Sequence, residues 1–282
     1  MQFVTVGNYG FIKFLKNISL NFQQQYMRDH EILIFCLGEK CYSELSGFKI
    51  RNNFTNVKLI LKDFENNKHM EFSDKKSLKL NPEFVDLNNL KFSIVSDIVS
   101  DFDVFHYIDS DVGFLSDPQK EYEKLNEYDL VFQSDVIDGS FYKPNQCAGN
   151  FLIRRTKKAG KFVSEVKKLC SKDLVDQKAL NEHIRTDGCV DIRSYQFADI
   201  TCFDPKKFPN GYYAFHQLQY RSSEVICLHA NYLSGESAKI DALAVGGVWY
   251  MDGSVFLFFR RVRFFLRRTL RILKILIKKL FS

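Results

Sequence analysis

Two aspartates one residue apart, Asp109 and Asp111, close an apolar run whose residues (Val104-Phe105-His106-Tyr107-Ile108) have the aromatic and β-branched character of a buried strand. Gly113 lies just beyond. In an open α/β sheet the ligand crevice lies outside the carboxyl ends of the strands. Two carboxylates held together there repel one another unless a cation sits between them. Hard oxygen ligands favour Mg2+ or Mn2+, and an added imidazole such as His229 tilts the choice toward Mn2+. Such ions bind through one or two carboxylates together with substrate phosphates. The plainer alternative is a solvated strand-end turn in which the aspartates cap the next segment. The flanking Phe-His-Tyr-Ile and Val-Gly-Phe-Leu favour the ion.

The elements that must position this pair follow from periodicity. A strand at 2–6 ends in Gly7-Asn8-Tyr9-Gly10, and a helical stretch follows to about Gln25 with Phe11, Phe14, Leu15, Ile18 and Phe22 on one stripe. Strands are expected at 32–37 and 57–61, with a short helix ending near Gly47 between them. Residues 62–82 are polar, rich in Lys and Asn, and read as a surface loop or lid. Leu87, Leu90, Ile94 and Ile98 spell a helix face leading into the central strand. Asp117-Pro118 starts another helix. Strands at 129–133 and 151–153 come next, the first carrying Ser134 and Asp135, the second preceded by Ala148-Gly149-Asn150. Helices at 157–170 and 176–185 and short strands near 200–203 and 225–228 complete the body, which closes with His229-Ala230-Asn231 and Lys239. Strands alternating with helices predict an α/β fold, a mostly parallel sheet covered on both faces.

The chain has 282 residues, 45% of them apolar and 15% aromatic, enough for one large domain or a domain with an appendage. Its net charge of +6 belongs to the tail. Residues 253–282 hold nine basic and no acidic side chains, which leaves 31 of the 40 basic residues against 34 acidic ones elsewhere. That distribution argues against a nucleic-acid-binding face and for an electrostatic appendage. Seven cysteines form no Cys-x-x-Cys pair, and most lie in apolar stretches. With a first strand opening at Phe3, this reads as a reduced, cytoplasmic protein, in which the sequons at Asn17 and Asn53 are accidental.

Tyr107-Ile108-Asp109-Ser110-Asp111-Val112 resembles the Asp-x-Asp signature of retaining glycosyltransferases with the GT-A fold, notably families 8 and 77. Three further motifs occur in the order of that family. Asn8-Tyr9 is similar to the base-binding turn, Asp176-Gln177 with Asn181 to the Asp-Gln…Asn helix start facing the donor sugar, and His229-Ala230-Asn231…Gly235…Lys239 to the closing metal-binding and diphosphate-binding segment. Lys239 is followed by Ile240-Asp241 where family 8 commonly has Pro-Trp, and its longer distance from His229 moves the resemblance toward family 77. The resemblance implies a GT-A-like sheet, Asp109, Asp111 and His229 as ligands of Mn2+ or Mg2+, and a nucleotide-diphosphate sugar, a UDP-sugar above all, as donor. It implies Gln177 beneath the anomeric carbon as a positioning or stabilising group, with Asp176 beside it. Asn8, Tyr9, Lys91, Ser110, Asp135, Asn150, Asn231, Gly235 and Lys239 are then the donor-binding candidates. The simpler role of Asp176 is a helix N-cap; that of Lys91 is a helix-surface lysine; His183 and His216 read as structural or surface groups rather than ligands.

The tail, helical by period from residue 255 to 281, sets Arg260, Arg263, Arg267, Arg271, Lys274 and Lys278 on one side and Phe258, Val262, Phe265, Leu266, Leu273, Leu276 and Leu280 on the other. Charge interrupts it too often for a bilayer-spanning segment, which needs about 20 apolar residues. A basic amphipathic helix of this kind lies on an anionic membrane surface; packing on the body or on a partner is the alternative. The expected organisation is a GT-A-like domain at 1–250 and a membrane-associating helix at 251–282. The protein would then be peripheral on the cytosolic face, acting on a glycan or lipid-linked acceptor. Two other classes compete. A haloacid-dehalogenase-type phosphatase also places Asp-x-Asp after a strand, but carries Thr or Val where Gly113 stands and has its motif near the start of the chain. A catalytically silent membrane scaffold is the non-enzymatic option. A sugar nucleotidylyltransferase would need a Gly-rich basic loop after the first strand, where only Gly7 and Gly10 occur.

Overall fold

The computed structural model of the chain describes residues 1–62, 82–171, 174–186, 188–217 and 223–280. Its strands are β1 (Gln2–Asn8), β2 (Glu31–Leu37), β3 (Val57–Lys62), β4 (Val104–Ile108), β5 (Val112–Phe114), β6 (Leu130–Ser134), β7 (Gln146–Arg154), β8 (Ile200–Cys202) and β9 (Cys227–His229). Seven of them make one sheet in the order β3-β2-β1-β4-β7-β6-β8. The pairings β1–β2, β1–β4, β2–β3 and β6–β8 are parallel. The sheet is mostly parallel, as expected, and it is mixed through one reversed strand, because β7 runs antiparallel to both β4 and β6. The expected strand at 151–153 is also longer, and Ala148, Gly149 and Asn150 lie inside it. The proposed loop or lid at 62–82 falls almost wholly outside the described residues.

Helices cover both faces: α1 (Ile12–Asn21), α2 (Glu39–Arg51), α3 (Pro82–Ile98), α4 (Gln119–Lys124), α5 (Lys157–Leu169), α6 (Asp176–Arg185), α7 (Glu236–Gly246) and α8 (Ser254–Leu280). The two-residue strand period sorts side chains between them. Val4, Phe105, Tyr107, Phe132 and Phe151 pack toward α3, α5 and α6. Phe3, Ile34, Ile108, Val131 and Leu152 pack toward α1 and α2. A third cluster joins Phe14 of α1 to Leu243 of α7 and Phe264 of α8. The helix expected to stop near Gly47 runs on to Arg51, and the stripe expected to reach Gln25 leaves the α-helix at Asn21 and forms a short 3-10 turn at Gln25–Met27.

Two further elements decide the site: the short strand expected near 225–228 finds a partner the sequence did not signal, and a helix follows it. β5 and β9 form a separate antiparallel pair that sets Val112 opposite His229. α7 starts after Gly235 and ends at Gly247, both at positive φ (88° and 83°). No helix of the described residues is long and apolar enough to cross a membrane.

Beneath the sheet, His106 is fully buried. Its Nδ1 accepts from the Tyr122 hydroxyl, and its Nε2 donates to Asn150 Oδ1 at 2.6 Å. Burial lowers its pKa from 6.5 to about 3, so the folded protein keeps it neutral while the unfolded chain protonates it below about 6.5. Stability from this group is full above that value and is lost as pH falls toward 3, by up to about 5 kcal/mol. Denaturant titrations from pH 3 to 7 are expected to show a shallower acid limb for His106→Gln than for the native chain.

Candidate active site

The parallel strands end together at one edge of the sheet, which gathers Asn8 from β1 and the Asp109-Ser110-Asp111 turn after β4. β7 arrives at that edge from the opposite direction, and Asp109 N–H donates to the Gly149 carbonyl at 2.7 Å. A Cβ on Gly149 would lie 2.1 Å from Asp109 Oδ2 and 3.0 Å from His229 Cε1. Glycine is required there because the carboxylate and the imidazole occupy the space over the strand.

Each aspartate divides its two oxygens. Asp109 Oδ1 lies 3.0 Å from Lys91 Nζ, and Asp111 Oδ2 lies 2.5 Å from Lys239 Nζ. Asp109 Oδ2 and Asp111 Oδ1 are turned toward His229 Nε2, at 4.0 Å and 3.4 Å. One ligand atom from each of Asp109, Asp111 and His229 lies within 4.8 Å of the others. Ligands at about 2.1 Å from an octahedral ion are about 3 Å apart along an edge and about 4 Å across. The three groups therefore fit a divalent cation in both spacing and donor chemistry.

The imidazole is held for that role by a residue sequence reasoning passed over. Gln133, fully buried at the end of β6, donates its amide N–H to the carbonyls of Phe208 and Pro209 at 3.2 and 2.9 Å. Its Oε1 therefore faces His229 Nδ1, at 2.8 Å, and must accept that proton. With Nδ1 protonated in the neutral ring, the lone pair is on Nε2, toward the aspartates. The signal in the sequence was a glutamine closing the apolar run Leu130-Val131-Phe132. Cys147 was also passed over; it lies beneath the ring, 3.8 Å from Nδ1, its thiol pushed well up by burial.

The charges are balanced pairwise. Burial pushes the Asp111 carboxyl up, but the opposing charges, the Lys239 ammonium foremost, outweigh it and hold it well below the usual carboxylate range. Lys91 is 3% exposed and bridges Asp109 to Asp176, whose Oδ2 is 2.7 Å away. Burial pulls its pKa down, and the carboxylates of Asp109 and Asp176 more than reverse that, so it remains a cation.

The remaining candidates fall into three groups. Asp135 accepts from Gln177 Nε2 and Asn231 Nδ2, both at 2.8 Å, and its own pKa is pushed up by burial. Asp176 and Gln177 open α6, while Asn181 binds both backbone groups of Gln146 and thereby anchors the start of β7. At the end of β1, Asn8 accepts from Gly10 N–H, and the Tyr9 ring is covered by Lys40 Nζ at 3.8 Å. Ser110 is buried between the aspartates. Gly235 precedes Lys239 by one turn of α7. Asn150 stands apart: it alternates with Gly149, so its side chain lies on the other face of the strand, bonded to His106 and Cys227. His183 bonds the Tyr195 hydroxyl, and His216 lies against Arg271 on α8.

Residues 17–243 match the family model described as nucleotide-diphospho-sugar transferase. Solved glycosyltransferases share the fold. The galactosyltransferase LgtC, in complex with donor and acceptor sugar analogues, is 13% identical with a TM-score of 0.55 over 91% of this chain and 99% of that one. The glycosyltransferase GlyE of Streptococcus pneumoniae TIGR4 is 16% identical with a TM-score of 0.53 over 91% of this chain and 61% of that one. The bifunctional glycosyltransferase WbbM is 9% identical with a TM-score of 0.58 over 92% of this chain and 51% of that one. At these identities the likeness is one of fold. No curated protein matches the sequence.

Replacing Gln133 by Leu removes the acceptor that selects the His229 tautomer. Mn2+ affinity, read by electron paramagnetic resonance without any substrate, is expected to fall about 10–100-fold.

Proposed function

The chain belongs to the nucleotide-diphospho-sugar transferase family, with a GT-A-like fold, and on that premise we propose that it is a metal-dependent retaining glycosyltransferase of the family 8 and 77 type. As a glycosyltransferase it is neither a dehalogenase-type phosphatase nor a silent scaffold. The observation that carries the finer reading is the cluster of Asp109, Asp111 and His229 with Lys239 beside it.

In this reading Asp109, Asp111 and His229 hold Mn2+ or Mg2+, and Asn8 and Tyr9 receive the base of a UDP-sugar. An ion bound there supplies Lewis-acid neutralisation of the donor's diphosphate. Lys239 adds a charge-assisted contact on the same phosphates as the leaving oxygen gains charge. Ser110, Asn231 and Gly235 line the phosphate path, and Gly235, lacking a Cβ, admits a close approach of backbone to an anion. Gln177 lies beneath the anomeric carbon and positions it. Its bond to Asp135 aligns the amide, and Asp135 and Asp176 accept hydroxyls of the sugar. Lys91 keeps Asp176 and Asp109 in register. The acceptor hydroxyl attacks from the face the diphosphate leaves, so no side chain need serve as nucleophile. Asn150, enclosed below β7, supports the strand and does not reach the sugar.

The acceptor reading rests on α8. Arg260, Arg263 and Arg267 turn toward the body, and Phe264 is buried against it. Val255, Phe259, Val262, Leu266, Leu270 and Leu273, spaced three or four residues apart, are exposed in one stripe. A helix that turns its apolar stripe outward suits a lipid surface. We assign 1–250 to the transferase domain and 251–282 to a membrane-associating helix that carries the enzyme to a lipid-linked acceptor at the cytosolic face.

Two experiments test this. Asp111→Asn is expected to lower transfer from a UDP-sugar with Mn2+ by roughly 10²–10³-fold, the range for loss of one preorganised electrostatic partner; unchanged transfer refutes the metal role. Substituting Phe259 and Leu266 by Glu is expected to abolish co-sedimentation with anionic vesicles while leaving the melting temperature within a few degrees of native, since surface changes alter stability by about 0.5 kcal/mol or less.

A further inference from the structure

α7 makes ion pairs in two directions. Lys239 and Asp241 are two residues apart and so project about 200° apart around the axis. Lys239 reaches Asp111 in the site. Asp241 reaches away from it and is fully buried beneath α8. There it accepts from Arg263 Nε at 2.6 Å and Nη2 at 2.5 Å, from Arg267 Nη1 at 3.0 Å and from Arg260 Nη1 at 3.4 Å. Arg267 also donates to Ser237 Oγ at 3.3 Å.

One guanidinium would neutralise a carboxylate; three, one of them in the bidentate fork, fix its direction. Elsewhere on α7 the directional contacts are single and less buried: Lys13 pairs with Glu236 at the first turn, and Lys239 with Asp111. The other buried contacts of α7, through Ile240, Ala242, Leu243 and Ala244, are apolar and carry little orientational preference. Glycines at positive φ bracket the helix at Gly235 and Gly247 and make both ends permissive hinges. A modest rotation of α7 would sweep Lys239 away from Asp111.

We propose that Asp241 is a positioning residue for donor binding: its clamp on the α8 arginines sets the rotation of α7 and thereby aims Lys239 at the metal and diphosphate site. The proposal rests on Lys239 as a diphosphate ligand. It makes the seating of α8 on the body part of the readiness of the donor site.

The test is a double-mutant cycle on the full chain, with binding of UDP or GDP in the presence of Mn2+ read by calorimetry. Asp241→Asn is expected to weaken nucleotide binding about tenfold in the native background and by less than about twofold in the Lys239→Ala background, because the effect passes through Lys239. With a sugar donor, kcat/KM is expected to fall in the native background and to change by less than about twofold in the Lys239→Ala background. Equal weakening in both backgrounds, or no weakening, overturns the proposal. If Asp241→Asn does not fold, the double replacement Arg263→Ala, Arg267→Ala retains the carboxylate and answers the same question by the same cycle. Failure of the native chain to bind either nucleotide would instead refute the donor reading, and the clamp with it.

Discussion

Four carboxylates, those of Asp109, Asp111, Asp135 and Asp176, meet at one edge of the sheet, and all but Asp109 are largely shielded from water. Like charges in such surroundings cannot all ionise without compensation. Around each the structure supplies a partner of matching reach: Lys91 for Asp109 and Asp176, Lys239 for Asp111, and the amides of Gln177 and Asn231 for Asp135. What stays uncompensated is one oxygen on each aspartate of the central pair, and both face the same imidazole nitrogen. The charge left over is therefore localised at one point, which is the condition for binding a small cation.

Several parts of the fold serve that localisation. The reversed strand β7 brings Gly149 under the aspartates, where a side chain would collide with them. The β5–β9 pair carries His229 in from far along the chain, and Ala230 N–H donates to the Asp111 carbonyl, which ties the two segments together. Gln133 then selects which imidazole nitrogen carries the proton. None of these residues needs to touch a donor; their contribution is geometric, and a shift of about 1 Å at such a site is costly.

The last helix inverts the usual arrangement of a surface helix. Its arginines turn inward onto a buried carboxylate, and an apolar stripe is left outside. In water this exposes apolar area to no benefit. At a lipid surface the same arrangement buries the stripe while Asp241 and Asp252 keep the inward arginines neutralised. The helix that receives those arginines also carries Lys239, so the seating of α8 and the ion pair to Asp111 share one element.

By itself the sequence determined the strand that ends in the acidic pair, the strand–helix alternation, the period of the tail, and the two aspartates of the candidate metal cluster. These features are local: apolar runs, three-to-four-residue spacing and the rarity of paired carboxylates after a buried strand leave a trace within a few residues. Only the tertiary structure decided that β7 runs backward, that Lys91 joins two aspartates instead of facing solvent, and that Asn150 lies below the sheet. It alone showed that the tail arginines converge on Asp241. Each of those outcomes depends on which partner a side chain meets across long separations in the chain. A lysine on a helix reads the same whether its neighbour in space is water or a buried carboxylate, and only packing distinguishes the two.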